Sequence, residues 1–276
     1  MNLKKALIVA FVLSLFTAAA FAAPLDVFKD IKGALDIAGG TAHIPVMKQA
    51  AQEIMTAYPN IRITVAGGGS GVGVKQVGEG LVGIGNTGRP LKDSEIAEFG
   101  LKTFPFAIDG VAVTVNPANP VKEMTSAQVS DIYSSKITDW KELGGEAGKI
   151  NVYGREDGSG TRETFTEKIL GETELAPSVN VVASNGAMKT AVAQDKRAIG
   201  YVGIGHIEDS ITGVVLDGMV PSQENAADGT YKIVRNLYMN TKGEPTGLTA
   251  AFIGYIYSKD GAKIIEDNGY IPIPKD

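Results

Sequence analysis

Residues 154–163 read GREDGSGTRE, and this stretch decides the predicted fold. It follows a short β-rich run, Ile150 to Tyr153, and leads into a helical pattern, Thr161 to Leu170. Glycines allow the intervening backbone to turn tightly and to point its N–H groups inward. A helix that starts at Thr161 adds unpaired N–H donors and a partial positive charge. The stretch therefore predicts a strand, a glycine-rich turn and a helix start that can hold an anion.

Two earlier segments share this design. Residues 39–42 read GGTA and residues 67–71 read GGGSG, each between a β-like run and a helical run. Three such loops in one chain are harder to explain as ordinary helix caps than one would be, so they predict an oxyanion pocket. Nucleotide and hydrolase motifs do not fit, because the glycine runs lack G-K-[ST] and G-x-G-x-x-G, and neither Ser70 nor Ser159 lies in G-x-S-x-G.

The rest of the chain alternates helical and β-like runs, which is typical of an α/β fold. Apolar residues between Ile44 and Tyr58 recur at helical spacing, and Ile61 to Val65 alternates as a strand does. Phe104 to Val115 is the longest β-like run, and we interpret it as a crossover between two lobes. Tyr231 to Met239 is predicted to be the return strand.

Shorter elements complete the pattern. We predict helices at 74–81, 126–133, 188–194, 249–257 and 260–267, and β structure at 81–85, 199–204 and 214–220. The expected fold is α/β and two-lobed, with a mixed, mostly parallel sheet in each lobe and a hinge between them. Lobe 1 is predicted to comprise residues 23–108 plus 231–276, and lobe 2 residues 109–230.

The N-terminus has the pattern of a secretory signal peptide. Lys4 and Lys5 precede an apolar run from Ala6 to Phe16, and the run Ala20 to Ala22 supplies a small-x-small cleavage site. A membrane anchor is the alternative, but the apolar run is shorter than the roughly 18–20 residues that span a bilayer. We therefore expect residues 1–22 to be cleaved and the protein to be free in the periplasm, where we expect a monomer.

Composition limits the function further. The chain has no cysteine, which excludes thiolate catalysis, disulfides and a lipid anchor on cysteine. The chain has 31 Asp and Glu residues and 26 Lys and Arg residues. The sequence shows no basic patch, so nucleic-acid binding is not predicted. An anion must therefore be held by local donors, and Arg155 and Arg162 offer guanidinium groups that match tetrahedral oxyanions. His43 and His206 are far apart, so neither a metal site nor a cofactor is expected.

At these loops the sequence resembles the periplasmic phosphate-binding proteins of ABC importers, the PstS family, within the type II periplasmic binding protein fold. The resemblance covers nearly the whole chain after residue 22, and residues 154–163 are its most specific part. It implies that phosphate is held by seven residues from the two lobes: Thr41, Ala42, Ser70, Arg155, Ser159, Gly160 and Thr161. Further possible contacts are Gly40, Arg89, Asp157 and Arg162.

One departure from the family concerns ligand selectivity. Family members often carry acids after the second loop, one of which accepts a hydrogen bond from protonated phosphate, whereas this chain has Gly83 and Arg89 there. Selectivity for phosphate would then rest on Asp157, Glu156 or another acceptor, and Arg89 could be a donor.

The expected function is capture of inorganic phosphate in the cleft and its delivery to the membrane permease of an ABC importer, without enzymatic activity. Sulfate or molybdate binding is the main alternative, and a sensor role on the same scaffold is another. A phosphoester hydrolase is a different class, which would need His43 to act as a base for Ser70 or Ser159.

Overall fold

The computed structural model describes residues 24–275. The predicted signal peptide, residues 1–22, lies outside the described residues. Among the helices formed by residues 24–275, none has both the length and the apolar character needed to cross a membrane.

Helices and strands alternate through the first half of the described chain. In order they are β1 (Gly33–Gly39), α1 (Ile44–Ala57), β2 (Ile61–Gly68), α2 (Ser70–Gly78), β3 (Ile84–Thr87), α3 (Asp93–Phe99), β4 (Leu101–Val115), β5 (Glu123–Met124) and α4 (Ser126–Tyr133). Short 3-10 helices at Pro24–Phe28 and Thr41–His43 precede β1 and α1.

The second half continues in the same way. Its elements are β6 (Asn151–Arg155), α5 (Gly160–Phe165), β7 (Asn180–Val182), α6 (Asn185–Gln194), β8 (Ala198–Gly203), β9 (Thr212–Gly213), β10 (Val215–Leu216), α7 (Gln223–Ala227), β11 (Val234–Lys242), α8 (Gly247–Ile256), α9 (Lys259–Asp267) and β12 (Ile271–Pro272). The helix that begins with α5 continues as a π-helical turn, Thr166–Leu170. Further 3-10 helices lie at Trp140–Leu143 and Ile204–His206.

One long strand belongs to the sheets of both lobes. The first part of β4, Leu101 to Gly110, pairs antiparallel with β11, and its second part, Val111 to Val115, pairs antiparallel with β8. The strand order is β2-β1-β3-β11-β4-β8-β6-β7. Parallel pairs occur in β2-β1-β3 and β8-β6-β7, and antiparallel pairs surround β4 and β11, so both lobes have the mixed sheet that was predicted.

Two main apolar clusters correspond to the two lobes. One contains Phe106, Leu237 and Phe252, and the other contains Tyr133, Phe165 and Tyr201. The rings of Phe165 and Tyr201 stack with centroids 3.9 Å apart and planes 7° from parallel. Ala107 lies in the first cluster and Val111 in the second, which agrees with a change of lobe near residue 108, although the lobe boundaries stay a prediction.

Most predicted elements are present, with differences at their ends. The helix predicted from residue 74 begins already at Ser70, directly after the glycine loop. The strand predicted at 81–85 begins only at Ile84, and Leu81 is 64% exposed. The extended run predicted at 214–220 is interrupted, because Asp217 and Gly218 adopt positive φ and form a tight turn. At 214–220 the turn ends the strand where apolar patterning alone suggested that it continues.

Candidate functional site

A small cavity of about 10 Å³ lies between the lobes. It is far smaller than the pockets of about 300–1,000 Å³ that hold drug-sized ligands, so it suits a ligand of only a few atoms. Its lining comes from three glycine loops, the residues that follow them and one strand: Gly40, Thr41, Ala42, His43, Gly69, Ser70, Gly88, Arg155, Ser159, Gly160, Thr161 and Arg235.

Arg155 is the most deeply buried charge in this lining, with 1% of its surface exposed. Its Nε donates to Glu156 Oε2 and to the carbonyl oxygen of Val182, both at 3.0 Å. Its Nη2 donates to Glu156 Oε1 at 2.8 Å and to the carbonyl oxygen of Ala183 at 3.3 Å. Nη1 has no hydrogen-bond partner among the described residues, although it is buried. A buried, unpartnered N–H group on a fixed cation is an anion donor.

Four buried hydroxyl groups surround the same cavity. Thr41 and Ser70 come from the first lobe, and Ser159 and Thr161 from the second, each at most 6% exposed. Ser70 is the first residue of α2, and Ser159 immediately precedes α5. Backbone N–H groups at the start of a helix have no acceptor within the helix, so these loops can present both N–H and hydroxyl donors to an anion.

The loops of the two lobes are in direct contact. The backbone N–H of Gly71 donates to the carbonyl oxygen of Gly158 at 3.1 Å. A Cβ atom on Gly160 would lie 2.5 Å from Ser70 Oγ, closer than non-bonded atoms approach. Glycine at position 160 therefore permits the lobes to come together, and the structure is a closed conformation.

Asn185 does not line the cavity but contacts one lining residue from each lobe. It is fully buried at the start of α6, and its Nδ2 donates to Thr41 Oγ1 at 3.1 Å and to Thr161 Oγ1 at 3.4 Å. Its Oδ1 accepts from the backbone N–H of Gly203 at 3.1 Å. One amide side chain thus orients a hydroxyl from each lobe.

His43 is a fully buried wall residue. Its ring packs against Phe106 with centroids 5.6 Å apart. Burial, and after it the positive charge of Arg235, lowers the pKa of His43 to about 3. The imidazole is therefore neutral at ordinary pH.

Three of the four possible contacts lie outside the cavity lining, and Gly40 lies within it. Arg89 is bound to carboxylates on both sides of the cleft: its Nη2 lies 2.6 Å from Glu95 Oε1, and its Nε lies 2.8 Å from Glu163 Oε2. Asp157 is 92% exposed at its side chain and pairs with Arg162 at 2.7 Å. Arg162 also donates to the carbonyl oxygen of Arg155 at 2.8 Å, which supports the loop rather than the ligand.

The seven residues implied by the resemblance all line this one cavity. Gly83 and Arg89, the two positions at which this chain departs from the family, do not line the cavity. Gly88, next to Arg89, does line it.

Comparison with known proteins gives the family. A model described as a PBP superfamily domain matches residues 29–260. The phosphate-binding protein PstS of Bacillus subtilis is 38% identical over 244 residues, which is 87% of this chain and 81% of that protein. The PstS of Pseudomonas aeruginosa is 30% identical, over 88% of this chain and 84% of that protein. The chain belongs to the PstS family.

Solved structures agree with this assignment. A putative phosphate ABC transporter substrate-binding protein from Clostridium perfringens, determined with bound phosphate, has a TM-score of 0.82 and 36% identity, and the match covers 87% of this chain and all of that one. An ABC-type phosphate transport receptor from Vibrio cholerae has a TM-score of 0.69 and 34% identity, with 87% and 100% covered. The chain shares the two-lobed α/β fold of these structures.

Sequence reasoning missed two polar residues at the cavity. Arg235 lies on β11, far along the chain from the glycine loops, and Asn185 lies behind the lining at a helix start. Ser184, which caps α6 by accepting from the N–H of Ala187, was the available local signal for the helix start. In the sequence, the only signal for Arg235 is its charge within a largely apolar run.

We expect Arg155→Ala to weaken anion binding strongly. Loss of a buried charged donor costs about 2–5 kcal/mol, which corresponds to a roughly 30- to 4,000-fold increase in Kd for phosphate. Titration calorimetry measures this directly. Arg197→Ala removes an exposed Arg of the same lobe and should leave Kd unchanged. Equal phosphate affinity of Arg155→Ala and wild type would contradict the site.

We expect Glu163→Gln to weaken binding only slightly. The change removes an ion pair between Arg89 and the opposite lobe, and such a partly exposed pair contributes about 0.2–1 kcal/mol, or up to roughly fivefold in Kd. The effect should shrink as salt is added. Glu167→Gln, one turn further along and exposed, is the matched control. A loss for Arg89→Ala as large as that for Arg155→Ala would instead make Arg89 a ligand contact.

We expect the protein to lose stability as the pH falls from about 6.5 to 5. Burial lowers the pKa of His43 to about 3 and that of His206 to about 4, so the unfolded chain takes up protons that the native protein does not. Stability is complete above the ordinary histidine pKa and falls below it, by up to about 2 kcal/mol per histidine over this range. Urea unfolding across pH should show a shallower fall for His206→Leu than for wild type. Identical slopes would contradict the assignment.

Proposed function

We propose that this protein captures inorganic phosphate in the cavity between its lobes and delivers it to the membrane permease of an ABC importer. The carrying observation is the Nη1 group of Arg155, which is buried, directed by Glu156 and without a partner among the described residues. The names of the relatives support phosphate as the ligand, since the B. subtilis and P. aeruginosa proteins are both called phosphate-binding protein PstS.

The proposed mechanism is closure of two lobes on the anion. Hydroxyls from both lobes line the cavity, so an anion there is held only when the lobes meet. Closure excludes water, and each N–H bond to the anion strengthens as the local dielectric falls. The ligand thereby favours the closed conformation, which is the form that a permease can distinguish from the open one.

Export and location follow from the same proposal. Residues 1–22 would direct the chain across the membrane as a cleaved signal peptide, and the protein would then act in the periplasm as a monomer. Delivery to a membrane partner requires that the ligand be collected on the side from which import begins.

Binding without catalysis is favoured over phosphoester hydrolysis. Ser70 Oγ accepts from the backbone N–H of Gly88 at 3.0 Å, and Ser159 Oγ accepts from that of Arg162 at 3.2 Å. A serine nucleophile needs a hydrogen-bonded base, and a histidine with a pKa of about 3 is a weak one. Turnover of a chromogenic phosphate ester that is lost in His43→Ala would contradict the proposal.

Competition among phosphate, sulfate and molybdate tests the ligand. We expect phosphate to displace the other two from the purified protein across pH 5 to 8, measured by calorimetry. Among the described residues that line the cavity, only His43 has an ordinary pKa near this range, and burial keeps it neutral. A change in affinity with pH therefore reports the ionisation of the ligand. Preference for sulfate or molybdate would overturn phosphate as the ligand.

A further inference from the structure

Arg235 occupies the wall of the cavity on a strand that connects the lobes. It lies on β11 directly opposite Asp109 of β4, as a cross-strand pair. Only 8% of its surface is exposed, and it lines the anion cavity together with Arg155. The cavity thus has two buried guanidinium groups, one from a glycine loop and one from the strands that cross between the lobes.

Asp109 holds one side of the Arg235 guanidinium. Nε and Nη2 of Arg235 donate to Asp109 Oδ2 at 3.0 and 2.7 Å. Both side chains are at most 5% exposed, so the pair carries a large desolvation cost. Because this cost offsets the attraction between the charges, a buried ion pair by itself adds little to stability. Stability alone therefore does not explain why Arg235 is buried here.

The remaining nitrogen of Arg235, Nη1, lies beside Gly88, which lines the cavity together with Arg235. A Cβ atom on Gly88 would come within 2.7 Å of it. The backbone N–H of Gly88 in turn donates to Ser70 Oγ, so Gly88 lies between the Arg235 side chain and a first-lobe hydroxyl of the site. A side chain at position 88 would therefore displace the guanidinium.

The same arrangement occurs twice. Glu156 engages Nε and Nη2 of Arg155, and Asp109 engages Nε and Nη2 of Arg235. In each case a carboxylate directs the guanidinium from one edge and leaves Nη1 for other contacts. Neither carboxylate is among the described residues that line the cavity, whereas both arginines are.

We propose that Arg235 is an anion-contacting residue of this cavity and that Asp109 is the residue that positions it. The inference rests on the proposed function, since it assumes that the cavity holds an oxyanion. The ligand is then held by a residue of strand β11 as well as by the loops of the two lobes.

The first test compares Arg235→Gln with wild type by calorimetry with inorganic phosphate. Loss of one charged donor should raise Kd about 10- to 100-fold. Arg62→Gln removes an exposed Arg from β2 and is the matched control, with no expected change. Arg235→Lys keeps the charge but loses the planar fork, so it should bind between wild type and Arg235→Gln.

A double variant separates contact with the anion from support of the fold. Arg235→Gln alone leaves Asp109 buried without its cation, whereas Asp109→Asn with Arg235→Gln removes both charges. If Arg235 contacts the anion, the double variant should bind phosphate as weakly as Arg235→Gln. If Arg235 only neutralises Asp109, the double variant should regain wild-type affinity, and the inference is overturned.

The positioning role of Asp109 has its own readout. Asp109→Asn should weaken phosphate binding in the wild-type background and have no effect on affinity in the Arg235→Gln background, because it acts through that side chain. Equal losses in both backgrounds would overturn the positioning role. Thermal unfolding without ligand, measured for each variant, identifies changes that act on the fold.

The outcomes distinguish this inference from the proposed function. Wild-type protein that binds phosphate, with Arg235→Gln within twofold of it, overturns the inference alone. Wild-type protein that prefers sulfate or molybdate overturns phosphate as the ligand, and the same variants titrated with that anion then decide the role of Arg235. Wild-type protein that binds none of the three overturns both.

Discussion

The buried guanidinium of Arg155 is the constraint on which the cavity depends. A positive charge with 1% exposure must have its N–H groups engaged, because desolvation without partners is costly. Glu156 and two backbone carbonyls engage Nε and Nη2, and only Nη1 is left for a ligand. The loop of residues 154–163 supplies Glu156, and the segment that leads into α6 supplies the carbonyl oxygens of Val182 and Ala183.

The hydrogen bonds between the lobes explain why closure and binding are coupled. Asn185 contacts hydroxyls from both lobes, and the backbone of Gly71 contacts that of Gly158. Each of these contacts is a hydrogen bond, and Thr41 and Thr161, which Asn185 contacts, also line the anion cavity. Arg89, between Glu95 and Glu163, adds an ion pair across the cleft outside the cavity.

The local parts of the site could be predicted from the sequence, and the tertiary parts could not. Glycine, serine and threonine at a strand-to-helix turn have local conformational causes, so the loops at 39–42, 67–71 and 154–163 were recognised as one kind of structure. The direction of a long side chain depends on neighbours distant in sequence. Arg89 therefore seemed a possible ligand contact although Glu95 and Glu163 bind it, and Arg235 went unnoticed although Asp109 holds it in the wall.

The position of β11 within the sheet has a consequence for the order of folding. This strand lies between β3 and β4, and Met239 pairs with Asn86, although more than half of the chain separates them. The first lobe consequently lacks an internal strand until nearly all of the polypeptide has been synthesised. Contacts between such distant segments form slowly, because a long loop must close first. For a chain exported as proposed, the first lobe can be completed only after β11, near the end of the polypeptide, has also crossed the membrane.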